Sequence, residues 1–183
     1  MGGSDHAPGF HFCLPSPCLN RKAYSSAAAR YVIFVTFSAF EPRERVVAPV
    51  RINAGPFSFT ARWEAEGAPQ TCAKFESLLP YRERIIHVRW SGEACWIPLG
   101  TLDLGLPYEN QTSYPAPGEI LLHPGGLSET EILIAYGGVR FASKVGQLAG
   151  NHFLTITEGR EQLRALGEHV LWHGAQEIVF ESL

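Results

Sequence analysis

Hydrophobic and polar side chains alternate strictly between residues 57 and 64. The apolar positions are Phe57, Phe59, Ala61 and Trp63. A repeat of two residues is typical of a β-strand with one buried face. The segment therefore predicts a half-buried strand, which Gly67 ends.

Two segments have helical spacing instead. In the first, which begins at Pro69 and stops at Pro80, the apolar residues are Cys72, Phe75, Leu78 and Leu79. In the second, Thr157 can cap the start and Gly174 can end the helix. Its apolar stripe is Leu163, Leu166 and Val170. The pattern predicts two short amphipathic helices.

β-prone runs fill most of the remaining sequence from residue 52 onward. They cover residues 84–90, 93–99, 119–123, 131–136, 152–157 and 178–181, and turns rich in Gly and Pro separate several of them. Many short strands with only two helices favour a closed barrel, because closure removes exposed strand edges. We expect a mainly-β protein built as a closed β-barrel with two short helices.

Residues 1–50 differ from the rest of the chain. They are rich in Pro, Ser and Ala and contain one short β-prone run at residues 31–40. Because these local preferences do not agree on one element, we interpret the segment as a weakly specified N-terminal extension. Residues 51–183 then form the barrel domain.

Charge and hydropathy exclude several classes of partner. The chain has 15 basic and 18 acidic residues, and its pI is near 6.2. It therefore lacks the concentrated positive charge that binds nucleic acid. Its longest apolar run, at residues 31–40, is too short to cross a bilayer, and no secretory signal opens the chain. We expect a cytoplasmic protein that contacts neither nucleic acid nor membrane.

No cofactor or metal is predicted. The sequence has no Gly-rich phosphate cradle, nucleotide fingerprint or Ser-centred nucleophile elbow. Cys13 and Cys18 lie near two histidines, but their spacing fits no standard zinc pattern. His169 and His173 are four residues apart, either as paired ligands or as imidazoles that complement the helix dipole, and we favour the second interpretation.

The last third of the chain resembles the end of a cyclophilin. Residues 148–152, 158–166 and 177–180 follow its order of Gly-x-His loop, helix and final strand. An uncharacterised bacterial cyclophilin-like family is more similar still, on the motifs at residues 68–69, 78–80, 91–93, 117–119, 124–125 and 136–137. The same scaffold is shared by the cucumopine synthases. The resemblance implies a cyclophilin-like barrel.

The resemblance does not carry over the prolyl isomerase activity of cyclophilins. Their Gln-Gly-Gly-Asp segment, which shapes the proline groove, is absent here. Arg89 alone can stand for the cyclophilin arginine, and His152 is the one groove position that matches. We therefore disfavour a prolyl isomerase.

Glu93 is the candidate catalytic residue. It follows Gly92, and its sequence neighbours Trp90 and Trp96 are bulky. Such surroundings would desolvate the carboxylate and raise its pKa, which suits a general acid or base. The alternative is a solvated glutamate at the end of a strand.

The candidate ligand contacts are mostly cationic or aromatic. His87 and Arg89 are expected on one strand face, able to meet an anion, and the alternative is a polar outer face. The Gly-rich segment 136–152 is expected to move at the barrel mouth and to supply cations, with surface decoration as the alternative. The full set is His87, Arg89, Trp96, Tyr114, His123, Tyr136, Arg140, Lys144 and His152.

These patterns lead to one functional hypothesis and its rivals. The barrel binds a small anionic or amino-acid-like metabolite, with or without acid/base turnover. A non-catalytic binding or assembly protein is the first rival, and a prolyl isomerase is the second. A homo-oligomer is left open.

Overall fold

A computed structural model describes residues 48–183. The strands are β1 (Val50–Ala54), β2 (Phe57–Trp63), β3 (Tyr81–His87), β4 (Gly92–Gly100), β5 (Gln111–Thr112), β6 (Glu119–His123), β7 (Thr130–Val139), β8 (Ala142–Ser143), β9 (Gly146–Gln147), β10 (Gly150–Glu158) and β11 (Gln176–Ser182). The helices are α1 (Pro69–Glu76) and α2 (Leu163–His173), and a 3₁₀ turn (Arg160–Gln162) leads into α2.

Eight antiparallel strands close into a barrel. Their order is β2-β1-β11-β3-β4-β7-β6-β10, and β10 pairs back onto β2 through Leu154 and Trp63. The short β5 joins the edge of β10, and β8 with β9 forms a separate hairpin. The prediction of a mainly-β closed barrel with two short helices is confirmed, and the architecture is consistent with a cyclophilin-like barrel.

The main hydrophobic core fills the barrel. On β6 and β7 it takes the even-numbered residues Ile120, Leu122, Ile132 and Ile134, which are at most 1% exposed. The buried residues of both helices, such as Phe75 on α1 and Leu166 on α2, pack onto the same core. The helices thus add apolar surface to the interior that the strands enclose.

A second, smaller core covers the outer face of β4, β6 and β7. It consists of Ala94, Leu121, Leu133, Phe141 and Leu148. The first three alternate along their strands with residues of the main core, so they point away from the barrel interior. Phe141 and Leu148 flank the β8–β9 hairpin, which therefore folds over this outer face.

The ends of several elements differ from the sequence prediction. The second helix begins at Leu163 rather than after Thr157, because β10 continues to Glu158 and Thr157 Oγ1 donates to the Thr60 carbonyl at 3.1 Å. Gly174 ends it as predicted, with φ at +80°. Strand β1 starts at Val50, within the predicted extension. The run at residues 31–40 lies outside the described residues.

Candidate functional site on the outer face of the barrel

A pocket of about 160 Å³ opens beside the second core. Its walls come from β4, β7, the connection after β3 and the β8–β9 hairpin. We call it the outer pocket and define it by six of its lining residues: Arg89, Trp90, Trp96, Glu129, Glu131 and Lys144. Arg89, Trp96 and Lys144 are among the residues that the sequence predicts as ligand contacts.

Glu131 is the most unusual group in this pocket. The residue is only 6% exposed, and within residues 48–183 its carboxyl has neither a hydrogen bond nor an ion pair. Burial, together with the smaller effect of the nearby Glu129, raises the pKa of Glu131 to about 8. The carboxyl is therefore mostly protonated at neutral pH, and it is a donor as well as an acceptor.

Sequence reasoning missed Glu131. It opens a β-prone run, and a charged residue at a strand end is normally solvated. The available signal was its position two residues before Leu133, in a strand whose residues are apolar on both faces. Such a run predicts burial on both sides, and a glutamate in phase with it is then buried as well.

Two tryptophans supply the aromatic walls. Trp96 lies on β4 and its indole Nε1–H is buried without a hydrogen-bond partner in the described part of the chain. Trp90 is 61% exposed and lines the pocket from the connection after β3. The tryptophans therefore give the site apolar aromatic surface, and the Trp96 Nε1–H is buried beneath that surface.

Arg89 and Lys144 bring positive charge from two separate loops. Both residues are exposed, and neither side chain has a hydrogen bond or ion pair to any residue from 48 to 183. A cation without a protein partner is available to an anionic ligand. The fold thus brings together two charges that lie more than 50 residues apart in sequence.

Arg89 does not share a strand face with His87, and this prediction is wrong. Strand β3 ends at His87. The His87 ring turns onto the next residue, where Nδ1 donates to the Val88 carbonyl at 2.8 Å. Residues 88–91 follow the strand without belonging to it, and Arg89 among them lines the outer pocket.

Ser91 fastens the β8–β9 hairpin to this connection. Its hydroxyl donates to the Ala142 carbonyl at 3.0 Å and accepts from the Ala142 N–H at 3.1 Å. The Ser91 carbonyl accepts from the Arg140 N–H at 3.0 Å. Together with buried Phe141 and Leu148, these bonds anchor both ends of a segment that the sequence suggested was loose.

Glu93 lies outside the outer pocket, and the expected rise in its pKa is wrong. The carboxylate accepts from the Gly138 N–H at 2.8 Å and from Arg164 at 3.0 Å. These bonds, the Gly138 N–H first, lower the pKa of Glu93. The Glu93 side chain is 42% exposed, and Arg164 reaches it from α2. Its catalytic role stays a prediction.

His87 and Tyr136 form a hydrogen-bonded pair, and neither side chain lines the outer pocket. The His87 Nδ1–H is committed to Val88, so Nε2 is the acceptor and takes the Tyr136 O–H at 2.8 Å. Burial raises the pKa of Tyr136. The pair holds the start of the connection that carries Arg89.

His123 is fully buried on the outer face, directly across the β6–β7 ladder from Glu131. Its Nδ1 donates to the Ala149 carbonyl at 2.8 Å. Its Nε2 has no partner among the described residues. The residue therefore lies behind the pocket wall and is not exposed at a barrel mouth.

The remaining predicted contacts lie apart from the outer pocket. His152 contacts Thr155 Oγ1 at 2.8 Å, and that hydroxyl donates to Glu64 at 2.5 Å. Arg140 and Tyr114 share one acceptor, Gln147 Oε1, at 3.2 and 3.4 Å. These groups already have protein partners, and they form two further polar clusters on the surface.

The described residues offer no metal centre. Within residues 48–183, no three His, Cys, Asp or Glu side chains could hold a metal ion together. The rings of His169 and His173 stack at 4.3 Å, and His173 Nδ1 donates to the His169 carbonyl at 3.0 Å. Cys13 and Cys18 lie outside the described residues.

None of the helices that the structure describes is long and apolar enough to cross a membrane.

The closed barrel and its two helices define the class of the protein as mainly β. The chain belongs to the DUF3830 family of proteins of unknown function, whose profile matches residues 50–182. No curated protein matches the sequence.

Two solved structures share the fold. The structure of McbB in complex with tryptophan matches with a TM-score of 0.55 and 16% identity, over 73% of this chain and 44% of the McbB chain. The chain thus spans less than half the length of McbB. The solution structure of hypothetical protein AF2241 from Archaeoglobus fulgidus matches with a TM-score of 0.53 and 16% identity, over 77% of this chain and 99% of that one. The relationship to cyclophilins stays a prediction from the sequence.

Proposed function

We propose that the protein binds a small organic anion, carrying at least one carboxylate, in the outer pocket. One observation supports this most directly. Two unpaired cations, Arg89 and Lys144, meet the aromatic wall of Trp96 and the unpartnered carboxyl of Glu131 in a single cavity. Convergence of a few unsatisfied polar groups in an apolar cavity is typical of small-molecule sites.

The two cations determine the sign of the ligand charge. A guanidinium donates two parallel hydrogen bonds to a carboxylate, and an ammonium adds a point charge on a flexible side chain. Since both side chains are exposed, each can reach a bound anion without disrupting a protein contact. Two cations against the single exposed carboxylate of Glu129 favour an anionic ligand.

The cavity size and walls restrict the ligand further. A volume of about 160 Å³ is below the range usual for drug-sized ligands, so the ligand is a small metabolite. Trp90 and Trp96 provide apolar surface for its carbon skeleton. McbB, a neighbour in fold, has tryptophan in its structure, and amino acids therefore belong among the compounds to test beside keto acids.

A second candidate function is acid/base catalysis without a cofactor. The observation in its favour is the Glu131 carboxyl, whose pKa of about 8 is well placed for proton transfer near neutral pH. Glu93, the residue predicted from the sequence, is less suited because its hydrogen bonds stabilise the ionised form. Both candidate functions require the ligand to bind in the outer pocket.

The test is a binding panel with matched variants. Small keto acids and amino acids are titrated into the protein by calorimetry, with thermal shift as a second measurement. Arg89→Ala and Lys144→Ala should each weaken binding at least about tenfold, since each removes a charge-assisted contact. Arg84→Ala and Lys74→Ala remove exposed or half-exposed cations outside the pocket and should leave the affinity unchanged. Binding that is absent, or equally weak in both sets of variants, would overturn the proposal.

A further inference from the structure

Glu131 is a buried residue of the outer pocket. It lines the pocket, and only 6% of the residue is exposed. Strand β7 fixes its position from both sides, with Pro98 on β4 and His123 on β6 directly opposite. The group is thus held rigidly on a regular strand, as a ligand-contacting residue needs to be.

The surroundings of Glu131 do not compensate a negative charge. His123 faces it from β6, Glu129 from the preceding loop, Arg89 from the connection after β3, and Lys144 from the β8–β9 turn. None of these groups forms an ion pair or hydrogen bond with the carboxyl. An ionised Glu131 would be a buried charge without a partner, which is costly.

The other charged groups of the pocket are two cations and one carboxylate. Arg89 and Lys144 are the cations, and the exposed Glu129 is the carboxylate. With a neutral Glu131, the cavity therefore has a net positive charge, which favours an anion over a ligand ammonium. A protonated Glu131 adds an O–H donor for an oxygen of such an anion.

We infer that Glu131 takes part in ligand binding as a protonated carboxyl that donates its O–H to an oxygen of the ligand. This rests on the proposed function. It names the ligand class more closely: a carboxylate with a second oxygen acceptor, such as a 2-oxo acid or a dicarboxylate. It also makes binding depend on the proton, because an ionised Glu131 would repel the anion and could not donate.

The affinity for the ligand should decrease as the pH rises. With the pKa of Glu131 near 8, the binding-competent protonated form is dominant at pH 7 and scarce at pH 9.5. The apparent affinity is proportional to the competent fraction. It should therefore fall about 30-fold between pH 7 and pH 9.5. An ammonium-bearing ligand that pairs with ionised Glu131 would show the opposite trend.

The experiment uses two matched pairs of probes, pyruvate with L-alanine and 2-oxoglutarate with L-glutamate. Each pair differs only in the oxo or ammonium group. Calorimetry on the full chain should show the oxo acids binding at least about tenfold more tightly at pH 7, with proton uptake at pH 8 when buffers of different ionisation enthalpy are compared. The oxo-acid affinity should then follow the predicted fall with pH.

Two variants separate a ligand-contacting Glu131 from a structural one. Glu131→Gln keeps a neutral donor of the same shape, so it should bind the oxo acids at pH 7 and lose the pH dependence. Glu83→Gln changes an exposed glutamate outside the outer pocket and should keep the dependence. A parent affinity that is flat or rises with pH, tighter binding of the amino acids, or a Glu131→Gln profile equal to the parent's would overturn the inference and leave the proposed function standing. If Arg89→Ala has no effect on any probe, the proposed function fails as well.

Discussion

The Glu93 carboxylate accepts a hydrogen bond from the Arg164 guanidinium at 3.0 Å, and this bond ties the start of β4 to α2. The same carboxylate accepts the Gly138 N–H from β7. Three elements therefore meet at one side chain. The arrangement is that of a structural ion pair on the protein surface.

The first prediction is that Glu93→Gln lowers the melting temperature slightly. The amide keeps the shape, but it removes the charge that favours the Gly138 N–H and Arg164. Arg164→Gln should cause a similar decrease, and the double variant should melt close to either single variant, because both lose the same bond. Glu83→Gln, on the exposed face of β3, is the matched control for the loss of charge.

Ligand titrations complete this comparison. Glu93→Gln should bind the oxo acids as the parent does, since Glu93 lies outside the outer pocket. A variant that melts at or above the parent temperature while its binding or turnover is lost would restore the catalytic role predicted from the sequence.

The second prediction concerns the close packing of α2 against β7. A Cβ on Gly167 would lie 2.4 Å from the Tyr136 ring. Because real Cβ atoms do not approach other atoms so closely, Gly167→Ala should shift the helix or the ring and destabilise the fold by about 1 to 3 kcal/mol. Chemical denaturation measures this, with Ala165→Ser on the exposed side of α2 as the control. Unchanged stability would mean that Tyr136 can move without cost, and that it does not hold His87 in place.

The third prediction links Glu131 to the pH dependence of stability. The pKa of Glu131 is about 8 in the folded protein and 4.5 as its reference value. Between these two values the folded state binds more protons than the unfolded state, so this group's contribution to stability falls as the pH rises from 4.5 to 8. It is fully present below pH 4.5 and is lost above pH 8.

Glu131→Gln removes this dependence and should therefore be more stable than the parent at high pH. We expect a gain of about 1 to 3 kcal/mol at pH 9 in urea unfolding, which disappears towards pH 5. The control is Glu129→Gln, which should show a much smaller change with pH. Parallel curves for the parent and Glu131→Gln across this range would contradict the burial of the carboxyl.

Much of the fold was predictable because its signals are local. The alternation at Phe57–Trp63 and the helix end at Gly174 depend on residues next to each other in sequence, and the structure has both. The closed barrel follows from many short strands that need partners. What failed was the path after His87, where β3 ends although the β-prone run continues to Trp90.

The candidate site was less predictable because burial on the outer face depends on distant segments. Glu131 lines a pocket together with residues of the β8–β9 hairpin, and no local pattern indicates that this hairpin folds over the same face. Glu93 has tryptophans near it in sequence, but its partner Arg164 is 71 residues away. Sequence proximity to an aromatic residue therefore indicated desolvation where the folded chain places a surface ion pair.

Strand β7 has two sets of side chains, which alternate along the strand and lie on its two faces. Ile132 and Ile134 belong to the barrel interior, while Glu131 and Leu133 belong to the outer face. A point substitution can alter one set and leave the other intact, so binding specificity can diverge between relatives without a change of core. Insertion or deletion of one residue exchanges the two sets along the strand. We therefore expect family members to keep the length of β7.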